Sequence, residues 1–146
     1  MSIATGSLHI RQVGTVFAPV ADQGRSLEFY LDKLGFEKRA DFPYGTGTRW
    51  IEVAPPGSMM AIALVAPSEG KSKGGGETHC AFATQDIEAD HATLSARGVE
   101  VDVEIARKGT QRSGLISTDV GVGDSVPPQF FFRDIDGNRF LIVQSD

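Results

Sequence analysis

Hydrophobic positions along the chain switch between a period of two, which suits strands, and a period near 3.6, which suits helices. Residues 13–20, VGTVFAPV, are apolar and β-rich, and Pro19 marks the end of that strand or a sheet edge. Residues 22–37, DQGRSLEFYLDKLGFE, carry Leu27, Phe29, Tyr30, Leu31 and Leu34 as a helical stripe, with Asp22 opening it and Gly35 suited to its C-terminus. TRWIEVA (48–54) alternates as a strand, with Trp50 and Glu52 on one face and Ile51 and Val53 on the other. PPG then turns the chain into a second apolar strand, SMMAIALVAP (58–67). SEGKSKGGG (68–76) has the composition of a flexible linker.

After the linker the order starts again. THCAFAT (78–84) reads as a strand, DIEADHATLSARGVEV (86–101) as a helix ending at Gly98, and PQFFFRD with NRFLIVQ as a hairpin. DIDGN (134–138), between these last two, supplies the Asp-Gly chemistry of a tight turn. The helix-opening residues Asp22 and Asp86 lie 64 apart, and the helix-ending Gly35 and Gly98 lie 63 apart. Two anchors agreeing within one residue predict a duplicated βαβββ unit. Module one spans about 12–67, the linker 68–76 and module two about 77–145, within a single domain covering 1–146.

Composition narrows the function classes. The 146 residues are 40% hydrophobic and 23% charged, enough apolar material for a core without disulfides, and one cysteine could not form one internally. A reduced, cytoplasmic setting is expected, with no apolar run of membrane-spanning length and no secretory signal. The net charge of −5 comes without a basic stripe, so neither nucleic acid nor a membrane surface is expected as partner. The acidity favours cationic small molecules over polyanions.

SLEFYLDKLGFE and FFFRDIDGNRFLIVQ resemble the signature segments of the vicinal oxygen chelate superfamily, which comprises glyoxalases, extradiol dioxygenases and bleomycin-resistance proteins. The resemblance runs from about residue 12 to 145. It implies an α+β fold of two βαβββ modules, each with a curved, mostly antiparallel sheet and an outer helix, forming a cleft, and it implies a homodimer. In metal-dependent relatives each module offers two ligands to one metal. Carried over, the first-strand corners of that frame are Thr15 and His79, and the later-strand corners are Glu52 and Leu141. Glu52 and His79 match the ligand types; Thr15 and Leu141 do not. A catalytic divalent metal generally needs three or more protein donors, so two corners without donors leave a weak site. His91, inside the second helix, and His9, in the N-terminal segment, do not obviously restore it.

His79 is therefore expected to line a cleft, bonded to Glu52 or to a ligand, rather than to hold metal. A His79–Glu52 pair could serve as an acid–base dyad on a carbonyl compound. Cys80 points to the face opposite His79, which rules out a nucleophile–base pair and suits a small buried side chain. SKGGGE and GVGDS lack the pattern of a phosphate loop, and DIDGN is too short for a calcium loop. Trp50, and Phe17 on the face of Thr15, are candidate platforms for a planar ligand on the concave side of the sheet. Among Phe130, Phe131 and Phe132, alternation sends Phe131 to the opposite face from its neighbours. The long segment 108–128, with Arg112, Asp119 and Asp124, suits a lid, a partner contact or a solvated loop.

The expected function is binding of a small organic molecule, contacted by Thr15, Phe17, Trp50, His79 and Leu141, with no cofactor. The alternatives are a divalent-metal lyase, isomerase or dioxygenase using Glu52 and His79, and a non-catalytic protein-interaction module.

Overall fold

The structure, a computed structural model, describes residues 6–67, 74–107 and 127–145. Segment 108–126 and most of the 68–76 linker, with Arg112, Asp119 and Asp124, lie outside the described residues. In chain order the elements are β1 (Thr15–Pro19), α1 (Gln23–Asp32), β2 (Glu37–Tyr44), β3 (Thr48–Ala54) and β4 (Ala61–Val65). The second set is β5 (Glu77–Thr84), α2 (Ile87–Ala96), β6 (Glu100–Val101), β7 (Gln129–Arg133) and β8 (Arg139–Gln144). They build two four-stranded sheets of matching order, β1-β4-β3-β2 and β5-β8-β7-β6. The first pair in each sheet, β1 with β4 and β5 with β8, is parallel, and the remaining pairs are antiparallel. This is the α+β, two-module architecture that the pattern predicted.

Both helices start as their sequences dictate. The Asp22 side chain accepts from the Arg25 backbone N–H, and Asp86 does the same from Ala89, so each satisfies a helix N-terminal donor. Gly35 and Gly98 sit past the helix ends with φ of 70° and 79°, a conformation that other residues enter at a cost. Residues 22–37 are not one helix, however. α1 stops at Asp32, and Glu37 opens a strand that the hydrophobic pattern did not announce. β2 is an edge strand with mostly exposed side chains, so burial imposes little alternation on it and its ladder with β3 holds it in place. In the second module the residues after Gly98 likewise form the short strand β6 rather than helix.

The core lies between the sheets and their helices. Val16, Ala18, Ile51, Val53, Ile62 and Leu64 face α1 and pack with Leu27 and Tyr30. Phe130, Phe132, Phe140 and Ile142 pack with Leu94 of α2 in the same continuous cluster. Stacked and edge-on rings (Tyr30, Phe36, Phe82, Phe132 and Phe140) link the modules.

Polar contacts also fasten the modules together. The Tyr30 hydroxyl donates to Asp134 Oδ2 at 2.5 Å, and the Asn138 amide donates to both Asp134 Oδ2 and the Pro19 carbonyl. Asp136 Oδ1 accepts from the Ala21 backbone N–H at 2.8 Å. The DIDGN segment is thus a turn, as expected, and its side chains also reach back 104 to 119 residues to grip Tyr30 of α1 and the β1–α1 corner at Pro19 and Ala21. Burial, with Asp134 beside it, pushes the Tyr30 hydroxyl well above its usual pKa, and burial likewise raises Asp134 against the bonds from Tyr30 and Asn138. At the far ends of the helices, Lys33 Nζ donates to the Arg97 carbonyl and Arg97 to the Lys33 carbonyl. That reciprocal exchange, between residues 64 apart, is what a duplicated unit with an internal two-fold relation would produce.

Candidate functional site

Each sheet has one face covered by its helix and one face left open. Register settles who shares the open face. On the first sheet Thr15 pairs with Ala61, Phe17 and Glu52 both pair with Ala63, and Phe42 pairs with Trp50. Thr15, Phe17, Trp50 and Glu52 therefore stand together, joined by Phe42 and Tyr44 of β2. Between β1 and β3, strand β4 presents only Ala61 and Ala63 here. Ala63 is fully buried beneath its larger neighbours, so the small side chains form a floor and the rings form walls.

The rings make one cluster. Phe17 and Tyr44 both meet Trp50 edge-on, with centroids 5.7 Å away in each case. Apolar rings on a sheet normally bury themselves, yet Phe17 is 51% exposed and Phe42 50%. The Trp50 indole N–H donates to Glu52 Oε2 at 2.6 Å, which pins the carboxylate against the ring edge.

On the second sheet Leu141 pairs with Ala81 and Phe131, again on the open face, while Phe130 and Phe132 are buried on the other. His79 is exposed and Cys80 half-buried against the core, so the two point apart. Burial pushes the Cys80 thiol upward, which keeps it protonated and inert.

His79 has a backbone feature that side-chain alternation could not foretell. Its φ is +56°, the left-handed region, in a strand where Glu77 pairs with Arg139 but Ala81 already pairs with Leu141. Three β5 residues thus oppose one of β8, a bulge that re-aims the histidine. The bulge is tied on both sides: Glu77 Oε1 accepts the His79 backbone N–H at 3.0 Å, and Glu77 also pairs with Arg139. Thr78 donates to the Arg139 carbonyl and accepts from the Cys80 N–H. Arg139 in turn lies over the Phe131 ring at 4.1 Å. Burial would raise the Glu77 carboxyl, but the His79 N–H and the Arg139 guanidinium outweigh it and hold the group below its usual range.

Among the described residues no hydrogen bond or ion pair joins His79 to Glu52; the carboxylate is engaged by Trp50 instead. His91 Nε2 bonds the Asp102 carbonyl at 2.7 Å and packs edge-on against Phe130, a structural role. His9 is exposed. Among the described residues no group of three or more His, Cys, Asp or Glu side chains is placed to hold a metal ion.

A cavity of about 410 Å³ lies where the two sheets adjoin, bounded by Val16, Met60 and Ile62 on one side and Cys80 and Phe82 on the other. It also touches Ala61, Ala81 and Ala83. Ala61 is the register partner of Thr15, Ala81 that of Leu141, and Cys80 adjoins His79. Val16, Ile62, Cys80 and Phe82 belong to the core side of their strands, so the cavity lies apart from the aromatic face; among the described residues none of Trp50, Phe17, Glu52 and His79 lines it. The sequence did not single out this cavity, because its walls come from both modules and its lining is mostly ordinary apolar side chains with a proline-rich turn.

Paired βαβββ units with an open, aromatic-lined face define the class to which the chain belongs. It is a member of the glyoxalase/bleomycin resistance protein/dioxygenase superfamily, whose family model matches residues 10–142. It is similar to the uncharacterized Bacillus subtilis (strain 168) protein YetH, 32% identical over 135 residues, covering 92% of this chain and 99% of YetH. A superfamily member from Sphaerobacter thermophilus DSM 20745 is 32% identical, with a TM-score of 0.77 over 94% of this chain and 100% of that one. TnmS3, an antibiotic binding protein from Streptomyces sp. CB03234, is 29% identical, with a TM-score of 0.73 over 96% of this chain and 100% of its own. No helix among the described residues is long and apolar enough to cross a membrane.

Proposed function

We propose that this protein binds a small, planar organic molecule without the help of a metal, stacking it on Trp50 and Phe17 and holding its far end beside His79. The observation that carries this reading is the exposed aromatic cluster over Ala63 on the open face of the first sheet; a separate cavity of about 410 Å³ lies between the two sheets. A cavity of that size suits a drug-sized ligand, and exposed rings on a rigid sheet are pre-organised for stacking. The similarity to an antibiotic-binding protein supports the same class of ligand.

The frame residues do not fit a divalent metal. Leu141 offers no donor, the Thr15 hydroxyl is a poor one, and Glu52 already accepts a bond from Trp50. Sequestration of the ligand, rather than its conversion, is the function these groups favour. A homodimer accords with the apolar side chains exposed by the single chain, Leu8 at 84% and Met59 at 79% among them.

Native mass spectrometry of freshly purified protein tests the reading. The expected result is a retained organic mass, no metal and a dimer. One nickel, zinc or iron per chain, lost in His79→Ala, would overturn it in favour of a metal-dependent lyase, isomerase or dioxygenase. A co-purifying protein with no small-molecule binding would instead favour an interaction module.

A further inference from the structure

Glu52 narrows the chemistry of that ligand. We infer that the open face of the first sheet selects organic cations, flat aromatic molecules bearing a protonated or quaternary nitrogen, with Glu52 as counter-ion and Trp50, Phe17, Phe42 and Tyr44 as π surfaces. The inference rests on the small-molecule reading above and adds the sign of the charge.

Three observations lead there. First, Glu52 is half-buried and has no cationic partner among the described residues. The nearby cations on this sheet are committed elsewhere. Arg49 and Lys38 pair with Asp41, and Arg39 pairs with Glu37 and donates to the Pro55 and Ser58 carbonyls. Second, only one carboxylate oxygen is used. Oε2 accepts the Trp50 indole N–H, and Oε1 makes no hydrogen bond among the described residues. Third, Glu52 shares its face of the sheet with Trp50 and Phe17, and Tyr44 extends the ring cluster beyond Trp50. Aromatic ring faces carry negative potential, which repels an anion and attracts a cation.

A carboxylate and several ring faces converging on one surface attract the same sign of charge. A half-buried carboxylate with an unused oxygen gains by pairing, whereas a neutral or anionic guest would cover it and leave it without a counter-charge. The cation of the neighbouring sheet, Arg139, is held by Glu77 and stacked on Phe131, so it has its own counter-ion. The net charge of −5 adds a favourable long-range field.

Trp50 is the sole tryptophan, so its fluorescence reports occupancy of this face directly. Three probes of nearly equal shape separate the possibilities: 9-aminoacridine, a cation at neutral pH; 9-anthracenemethanol, neutral; and 9-anthracenecarboxylate, an anion. Quenching of Trp50 and calorimetry are run on the full chain, then on Glu52→Gln, which keeps an acceptor for the indole and removes the charge. The expected result is binding of the cation about tenfold or more tighter than the other two, an advantage lost in Glu52→Gln and weakened by salt. Equal binding of all three probes overturns the charge inference and leaves the planar-ligand reading intact. No quenching by any probe overturns both. If Glu52→Gln does not fold, the preference and salt dependence of the unaltered protein decide the matter.

Discussion

Replacing His79 with glycine should stabilise the protein while weakening its hold on a ligand. The histidine backbone sits at φ +56° in the β5 bulge, and its side chain is exposed. For an L-residue the left-handed region costs roughly 1–2 kcal/mol, because Cβ crowds the following carbonyl. Glycine removes that crowding, but its greater freedom in the unfolded chain returns roughly 0.5–1 kcal/mol. The exposed imidazole contributes little burial. Its electrostatic neighbour is the Glu77 carboxylate, and an exposed charge pair of that kind contributes little. The balance is a gain of about 0.5–1 kcal/mol, which for a chain of this length raises Tm by about 1–4 °C. Urea unfolding at constant m value measures it, with His79→Ala as the partner variant, since alanine loses the imidazole and keeps the strain. Both variants should lose affinity for a bound organic ligand, and only the glycine variant should gain stability. A glycine variant no more stable than the alanine one would refute the strain. Unchanged affinity in both would refute the ligand contact.

Tyr30→Phe removes one of the two donors to a buried Asp134 oxygen and should cost about 1.5–3 kcal/mol in urea unfolding; a loss below about 0.5 kcal/mol would show that the modules hold together without this bond. Gly74→Ala should be worse than Gly57→Ala. Gly74 has φ +101°, and an added Cβ there would lie 2.8 Å from both the Asp136 Cβ and its carbonyl oxygen. Gly57, at φ +84°, faces open space. Thermal unfolding should show a loss of at least about 2 kcal/mol for the first and about 1 kcal/mol for the second. Glu77 has a folded pKa below its unfolded value, so its contribution is present above the usual carboxylate range and is lost as pH falls through the lowered value. Denaturation series from pH 6 down to about pH 3 should therefore show stability falling with acid, with a shallower slope in Glu77→Gln; an identical slope would remove Glu77 from the acid response.

How much of this was legible in the chain follows from which forces are local. Helix caps depend on a few adjacent residues, so Asp22, Asp86, Gly35 and Gly98 announced both helices and the duplication. Strand faces have a period of two wherever one side is buried, which set Trp50 and Glu52 opposite Ile51 and Val53, and Phe131 opposite its neighbours. β2 escaped because an edge strand facing solvent on both sides carries no such period.

Pairing between distant strands decided the rest. Alanine at 63 is an unremarkable residue until the ladder sets it beneath Phe17 and Trp50 and turns it into the floor of an aromatic bay. Trp50 and Glu52 were predicted to share a face, but the indole bond that draws the carboxylate away from His79 depends on rotamers packed in three dimensions. His79 read as a plain strand residue, and the bulge that re-aims it arises from a mismatch with β8, some 60 residues further on. The repeated strand–helix order and the helix caps could be read from the chain, since residue type and short-range geometry suffice for those. The aromatic cluster over Ala63, the cavity between the sheets and the Tyr30–Asp134 fastening came from the folded chain alone, because each needs side chains brought together across the whole sequence.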